Sequence, residues 1–444
     1  MSGASNRRMC PRCPLATAAK LRRMCPDSLM KGFPPRSGSL VTLDNWQTPP
    51  FNRWAFQHMR EIIPSQLIQR GAGPVRGLAK AKSPVNLDEV AVGRCDGSSG
   101  TLGGVLADTY TDSVIVLHNG QIVLERYYSD MGPDTRHLLM SVSKSVVGCV
   151  TGVLVGRGLI DPAEQASRYV PEVVGGGYDG ATVRNLLEMR TGVRFSEEYT
   201  DPDAEVRVME RHMGWSSPGP DGAVGAYAYL ATLESAGAHG KAFEYRSADT
   251  DMLGWVCERA AGSRMADLIS ELLWQPLGTE FDAEITCDVV GSAVHDGGIS
   301  ATTRDLARFG QLLLRDGGVG DVSVVPKRWL RDSRAIDADI RGAFSASASE
   351  PFLPGGWYRN QFWFVPGPSG DVLLCLGIHG QMVLVDHSTN TVAVKFSTWP
   401  DAQNPNYLID TIRAFTAAGR HLAGLPPVTS SPQDRRGGPI LDTG

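Results

Sequence analysis

Hydrophobic and polar positions divide the chain into segments of different period. The first regular pattern is Val114-Ile-Val-Leu-His118, then Asn119-Gly120, then Gln121 to Tyr128. Two β-rich runs around Asn-Gly predict a hairpin, because the favoured two-residue turn needs positive φ at both central residues. Ser143 to Val155 is small and apolar and is followed by Gly156 and Gly158, which predicts a buried helix. Residues 160–290 read as helices and long loops, with helical stretches at Thr182 to Met189, Gly225 to Ala236, Ser247 to Ala261 and Met265 to Leu273. Thr302 to Asp316 is a further helix. Strand patterns return at Asp371 to Ile378, Gln381 to Val385 and Thr391 to Phe396, with a turn at His387 to Asn390 and a closing helix from Tyr407 to Leu422. Strands and helices segregated in this way predict an α+β fold: an antiparallel sheet built from both chain ends, flanked by helices, with a mostly helical section inserted.

The expected organisation is a basic, disordered leader at 1–36, the first part of the sheet domain with its buried helix at 37–160, a mostly helical insertion at 161–300, the second part of the sheet domain at 301–423, and a disordered tail at 424–444. With 42% apolar and 20% charged residues among 444, the chain can bury a core. A net charge of −5 argues against a nucleic-acid partner, which needs a clustered basic face. No apolar run approaches the roughly 20 residues that span a bilayer, so no membrane role is expected. The leader sets eight basic residues against Asp27, and its apolar piece Leu15 to Ala19 is too short for a signal peptide, which favours a cytoplasmic protein. Cys10, Cys13 and Cys25 lack a fourth ligand at zinc-finger spacing, and Cys95, Cys149, Cys257, Cys287 and Cys375 sit singly, as buried thiols do. The histidines form no metal-binding grouping, so neither a metal nor another cofactor is expected.

The basic residues divide into 35 Arg and only 8 Lys, so chemistry that needs an amine has few candidates. Ser141-Val-Ser-Lys144 stands at the start of the apolar helix, where residues three apart share a face and the Ser141 hydroxyl and Lys144 amine can meet. Burial in that apolar base disfavours the ammonium and lowers its pKa, which makes the lysine a general base. The helix N-terminus adds N–H groups where an oxyanion would form. A second match, Ser28 to Lys31, lies in the leader with nothing to hold it. The residues alone leave two readings open: a nucleophile and its base, or Ser141 as a helix cap beside a solvated lysine.

Ser141-x-x-Lys144, Tyr245-x-Ser247 leading into a helix, and Leu376-Gly-Ile-His-Gly-Gln381 on a strand resemble, in order, the three motifs of the serine β-lactamase and penicillin-binding-protein superfamily. Tyr199-Thr-Asp-Pro, Gly214-Trp215, Tyr245 to Asp251, Gly297 to Arg308, Gly377 to Gln381 and Ser397-Thr-Trp-Pro400 are similar to one branch, the 6-aminohexanoate-dimer hydrolases, from about residue 30 to about 425. The resemblance implies a β-lactamase/transpeptidase-like fold and a serine hydrolase that cleaves small-molecule esters or linear amides through an acyl-enzyme on Ser141. Lys144 would accept the serine proton, Tyr245 would pass a proton to the departing group, and the N–H groups of Ser141 and Ile378 would hold the oxyanion. Tyr199, Glu210, Asp296 and Ser247 fall on the substrate side, where the carboxylates of Glu210 and Asp296 would meet an ammonium. His379 joins them at the strand end in a structural role, not in a catalytic triad, since Gly-x-Ser-x-Gly is absent. Two departures weaken a β-lactamase or D-amino-acid peptidase, which stays as the alternative: Cys375-Leu376-Gly377 stands where Lys-Thr-Gly is usual, and Ser247 where Asn is usual. A catalytically idle homologue that binds through the same pocket is the third reading. The one protein partner considered is a second copy in a homodimer.

Overall fold

The computed structural model describes residues 29–82, 85–220 and 222–427. Its two main sheets are built from β1 (Ser65–Ile68), β2 (Ala79–Lys80), β3 (Thr111–His118), β4 (Gln121–Tyr127), β5 (Arg136–Leu138), β6 (Ala283–Thr286), β7 (Ile299–Thr302), β8 (Trp357–Arg359), β9 (Phe362–Pro366), β10 (Asp371–Gly377), β11 (Gln381–Asp386) and β12 (Thr391–Ser397). The large sheet runs β8-β9-β10-β11-β12-β3-β4-β2 and is antiparallel except where β2 meets β4. Early and late chain join at β3 and β12, with Ala393 opposite Val116. The predicted hairpin is β3–β4, and its turn residues Asn119 and Gly120 have φ of 51° and 77°, the positive values that the Asn-Gly signal demands.

The helices that matter for the site are α1 (Val142–Gly156), α2 (Glu205–His212), α3 (Ser247–Ala261), α4 (Thr303–Leu314) and α5 (Pro405–Leu422). Side chains alternate between the two faces of the large sheet. Ile115, Leu117, Val383, Val385, Val392 and Val394 pack into the core that holds α1 and α4. Val114, Val116, Met382, Leu384 and Ala393 pack into a second core with Ala414, Phe415 and Ala418 of α5. Both faces are covered, which is why Val114 to Leu117 reads as an unbroken apolar run.

A second, antiparallel sheet, β1-β6-β7-β5, was not anticipated. Its strands are three or four residues long, too short to establish a two-residue period. It runs into the section expected to be mostly helical. The helix expected from Gly225 to Ala236 covers only Ala226–Leu230. The expected leader also ends too late, because Leu29 is buried, Met30 packs on the core and its N–H donates to Ser39 O at 2.8 Å. Cys10, Cys13, Cys25, Ser28 and most of the tail lie outside the described residues. Cys149, Cys257, Cys287 and Cys375 are buried free thiols, as expected, whereas Cys95 is half-exposed. Among the described residues no helix is long and apolar enough to cross a membrane.

Candidate functional site

The edge strand β5 of the small sheet leads into a tight turn at the head of α1. Leu139 N–H donates to Ile299 O at 2.8 Å, Met140 takes a left-handed φ of 48°, and Ser141 follows as the residue before the helix. The Ser141 hydroxyl caps no backbone N–H. It accepts instead from Lys144 Nζ at 2.9 Å. The lysine is 1% exposed, so the reading with a solvated lysine does not describe this structure. Its amine also donates to Ser247 Oγ at 3.1 Å and to Asp296 O at 2.9 Å, and it lies 3.6 Å from Asp296 Oδ2.

Two further elements close on this pair. Tyr245, two residues before α3, has its ring centroid 5.2 Å from Lys144 Nζ, and it is stacked on Trp363 at 5.1 Å and edged by Tyr358 at 5.9 Å. Strand β10 brings Gly377 against the serine turn so tightly that a Cβ there would sit 2.6 Å from Leu139 O. That approach requires glycine and delivers Ile378 beside Ser141. Among the turn, loop and cap backbone hydrogen bonds of the described residues, neither the Ser141 N–H nor the Ile378 N–H serves as donor. Unpaired N–H groups beside a nucleophile can receive a developing oxyanion.

Ser141, Tyr199 and Ile378 line two cavities at once, one of about 570 Å³ and one of about 20 Å³. Tyr245 faces the larger; Glu210 and Asp296 face the smaller. The Tyr199 hydroxyl donates to Glu197 Oε2 at 2.7 Å. Glu210 accepts from Arg207 Nη1 at 2.7 Å through Oε2 and from Gln47 Nε2 at 3.3 Å through Oε1. Asp296 Oδ1 is buried without a hydrogen-bond partner. Ser247 Oγ contacts Lys144 Nζ, and the residue lines neither cavity.

His379 is also absent from both cavity walls. Its ring is buried edge-on to Phe56, and Nδ1–H donates to Trp399 O at 2.8 Å. The ring thus sits at the strand end, away from both cavity walls. Burial pushes its pKa down to about 4, only partly offset by the hydrogen bond to Trp399 O. A depressed histidine contributes stability above its unfolded value, near 6.5, and that contribution is lost as pH falls toward 4. Wild-type protein is expected to lose about 2 kcal/mol from this group between pH 7 and 5. The variant His379→Asn keeps a donor and tolerates the left-handed φ of 56°, so thermal melts at the two pH values should show a smaller drop than wild type.

The charge on Lys144 overturns an expectation. Burial alone pulls the amine down, but Tyr245, Asp296, Glu197 and Asp251 together hold it above its ordinary value. Burial raises the Tyr245 phenol as well, against the opposing pull of Lys144. Both groups are thus shifted toward keeping their protons. Glu197 and Asp251 were not singled out from the sequence. Glu197 accepts from the Ser247 N–H as well as from Tyr199. Asp251 is fully buried, and its Oδ1 accepts from the N–H groups of His295 at 2.8 Å and Asp296 at 3.2 Å, which fixes the turn that presents Asp296 to the lysine. Its partners come from a distant loop, so no local motif signals it.

Comparison with known proteins gives concordant results. A family model described as Beta-lactamase matches residues 104–417. The 6-aminohexanoate-dimer hydrolase of Paenarthrobacter ureafaciens is 38% identical over 394 residues, covering 87% of this chain and 97% of that protein. A solved Bacillus anthracis structure named as a 6-aminohexanoate-dimer hydrolase superposes with a TM-score of 0.80 at 27% identity, covering 89% of this chain and 100% of the other. A penicillin-binding-protein homologue from Pyrococcus abyssi shares the fold alone, with a TM-score of 0.53 at 16% identity, covering 73% of this chain and 76% of the other.

Proposed function

The chain belongs to the β-lactamase family and is a hydrolase of that fold, and we propose that it cleaves small-molecule carboxylic esters or linear amides through an acyl-enzyme on Ser141. The observation that carries this reading is the Ser141 hydroxyl 2.9 Å from the amine of a fully buried lysine. Ser141 Oγ attacks the carbonyl carbon while its proton passes to Lys144. The oxyanion takes the unpaired N–H groups of Ser141 and Ile378, and Tyr245 supplies the proton that the departing oxygen or nitrogen needs. Water then releases the acyl group by the same steps in reverse. The relative's activity on the 6-aminohexanoate dimer supports an amide bond as one target of this chemistry.

Lys144 can act as acceptor only after the Lys144–Tyr245 pair has lost a proton, so kcat/KM is expected to rise with pH toward the alkaline side. Removing a carboxylate that favours the ammonium lowers the amine's pKa. The variant Asp296→Asn should therefore move the rising limb of the pH profile to lower pH, by about one unit. A limb that stays in place would show that Asp296 does not set the lysine's charge.

The β-lactamase alternative draws little support from the cavity walls. No Lys, Arg or His lines either cavity, and Cys375-Leu376-Gly377 carries no charge to meet a β-lactam carboxylate. Parallel assays with 4-nitrophenyl acetate and a chromogenic cephalosporin test the choice. Ester turnover without cephalosporin turnover is expected; the reverse would favour the β-lactamase.

A further inference from the structure

We infer that the site is shaped for substrates with a short acyl group and a bulky, uncharged, apolar leaving group. The inference deepens the proposed function and rests on Ser141 as nucleophile and Tyr245 as proton donor.

Ser141 and Ile378 lie on the walls of both cavities, so a carbonyl carbon over Ser141 Oγ sits at their junction and its two substituents point into different spaces. Tyr245 lines only the larger cavity. The group that receives the Tyr245 proton is the one whose bond to the carbonyl carbon breaks, so the leaving group occupies the space of about 570 Å³. The acyl substituent is left with about 20 Å³. A cavity needs roughly 10–15 Å³ by this measure to admit one water, so the smaller space suits one or two carbon-sized groups. Its walls include Met209, Met213 and Trp215, all at most 4% exposed and packed into the core.

Charge narrows the leaving group further. The larger cavity offers the aromatic faces of Phe243 and Trp363. The ionisable acids and bases on its walls are Glu197 and Glu244, with no Lys, Arg or His to balance a carboxylate on the ligand. Glu244 is already paired with Arg246, and Glu197 receives the Tyr199 hydroxyl. A neutral aromatic alcohol or amine fits these walls, whereas an anionic one meets carboxylates in a partly desolvated space.

The test is a kcat/KM series on the full chain, with Ser141→Ala as control. 1-Naphthyl acetate is compared with 1-naphthyl hexanoate, and 4-(methoxycarbonyl)phenyl acetate with 4-carboxyphenyl acetate. The acetate should exceed the hexanoate by at least about tenfold, and the methyl ester should exceed the free carboxylate by a similar factor, the scale on which misfitting groups are rejected. The variant Met213→Ala enlarges the small cavity and should narrow or reverse the acyl preference; Met209→Ala on the same wall does the same if the first variant fails to fold. Hexanoate turned over as well as acetate by wild type, or carboxylate as well as methyl ester, overturns the inference while leaving the serine mechanism standing. Turnover that survives in Ser141→Ala overturns the parent reading, and the inference with it.

Discussion

Ser141→Ala is expected to lower kcat for ester hydrolysis by about 10⁵-fold or more, with little change in the melting temperature. The size follows from what the hydroxyl does. Without it no acyl-enzyme forms, and what is left is the catalysis that the oxyanion donors can give to direct attack by water, as when a nucleophile is removed from other serine hydrolases. The small effect on stability follows from the local structure. Ser141 Oγ caps no backbone N–H, and its partner Lys144 keeps Ser247 Oγ and Asp296 O. Steady-state rates and thermal melts on the same preparation check both halves. A variant within tenfold of wild type would remove Ser141 from the chemistry.

The second large effect belongs to Lys144→Met, a change of similar length that deletes the amine. Loss of a general base costs about 10²–10⁴-fold in rate, and the upper end is expected because the pocket holds no other amine. Unlike the serine variant, this one also disturbs the fold. Lys144 opposes the burial that raises the pKa of both Glu197 and Asp251. Breaking a buried charge pair by removing one partner costs about 3–5 kcal/mol. With the cation gone, those carboxyl pKa values rise further in the folded state. Stability gained from a raised pKa is present at low pH and lost as pH rises through the folded value. The variant should thus be less stable than wild type at pH 8 and recover part of the difference at pH 5, as thermal melts across that range would show. Equal stability offsets at both pH values would mean that the carboxyl groups do not respond to the lysine.

Elements that were legible in the sequence are those with a clear period or a decisive turn. The β3–β4 hairpin announced itself through Asn119-Gly120, and α1, α3 and α5 through apolar or amphipathic runs with matching ends. What escaped was short or aromatic. Trp357–Arg359 and Phe362–Pro366 complete the edge of the large sheet, but glycine and proline around them mask a strand pattern. Glu205–His212 carries Glu210 and Arg207 as an i,i+3 pair, yet Val206, Val208 and Met209 give no helical stripe long enough to recognise.

The site shows the same division. Ser141, Lys144, Tyr245 and Ile378 occur in short motifs on rigid elements, and the fold brings them to one junction. Glu197, Asp251 and Trp363 contribute through contacts that only the folded chain creates. The expected lowering of the Lys144 pKa failed for that reason. Its apolar neighbours in α1 make burial visible from sequence, whereas the carboxylates that reverse the effect arrive from positions 197, 251 and 296.

The most direct test of the central claim is peptide mapping of the adduct formed by a fluorophosphonate, followed against loss of esterase activity. The expected result is inactivation that tracks one phosphonyl group per chain, carried on Ser141. Inactivation with the adduct on another residue, or full activity with Ser141 modified, would contradict an acyl-enzyme at this serine.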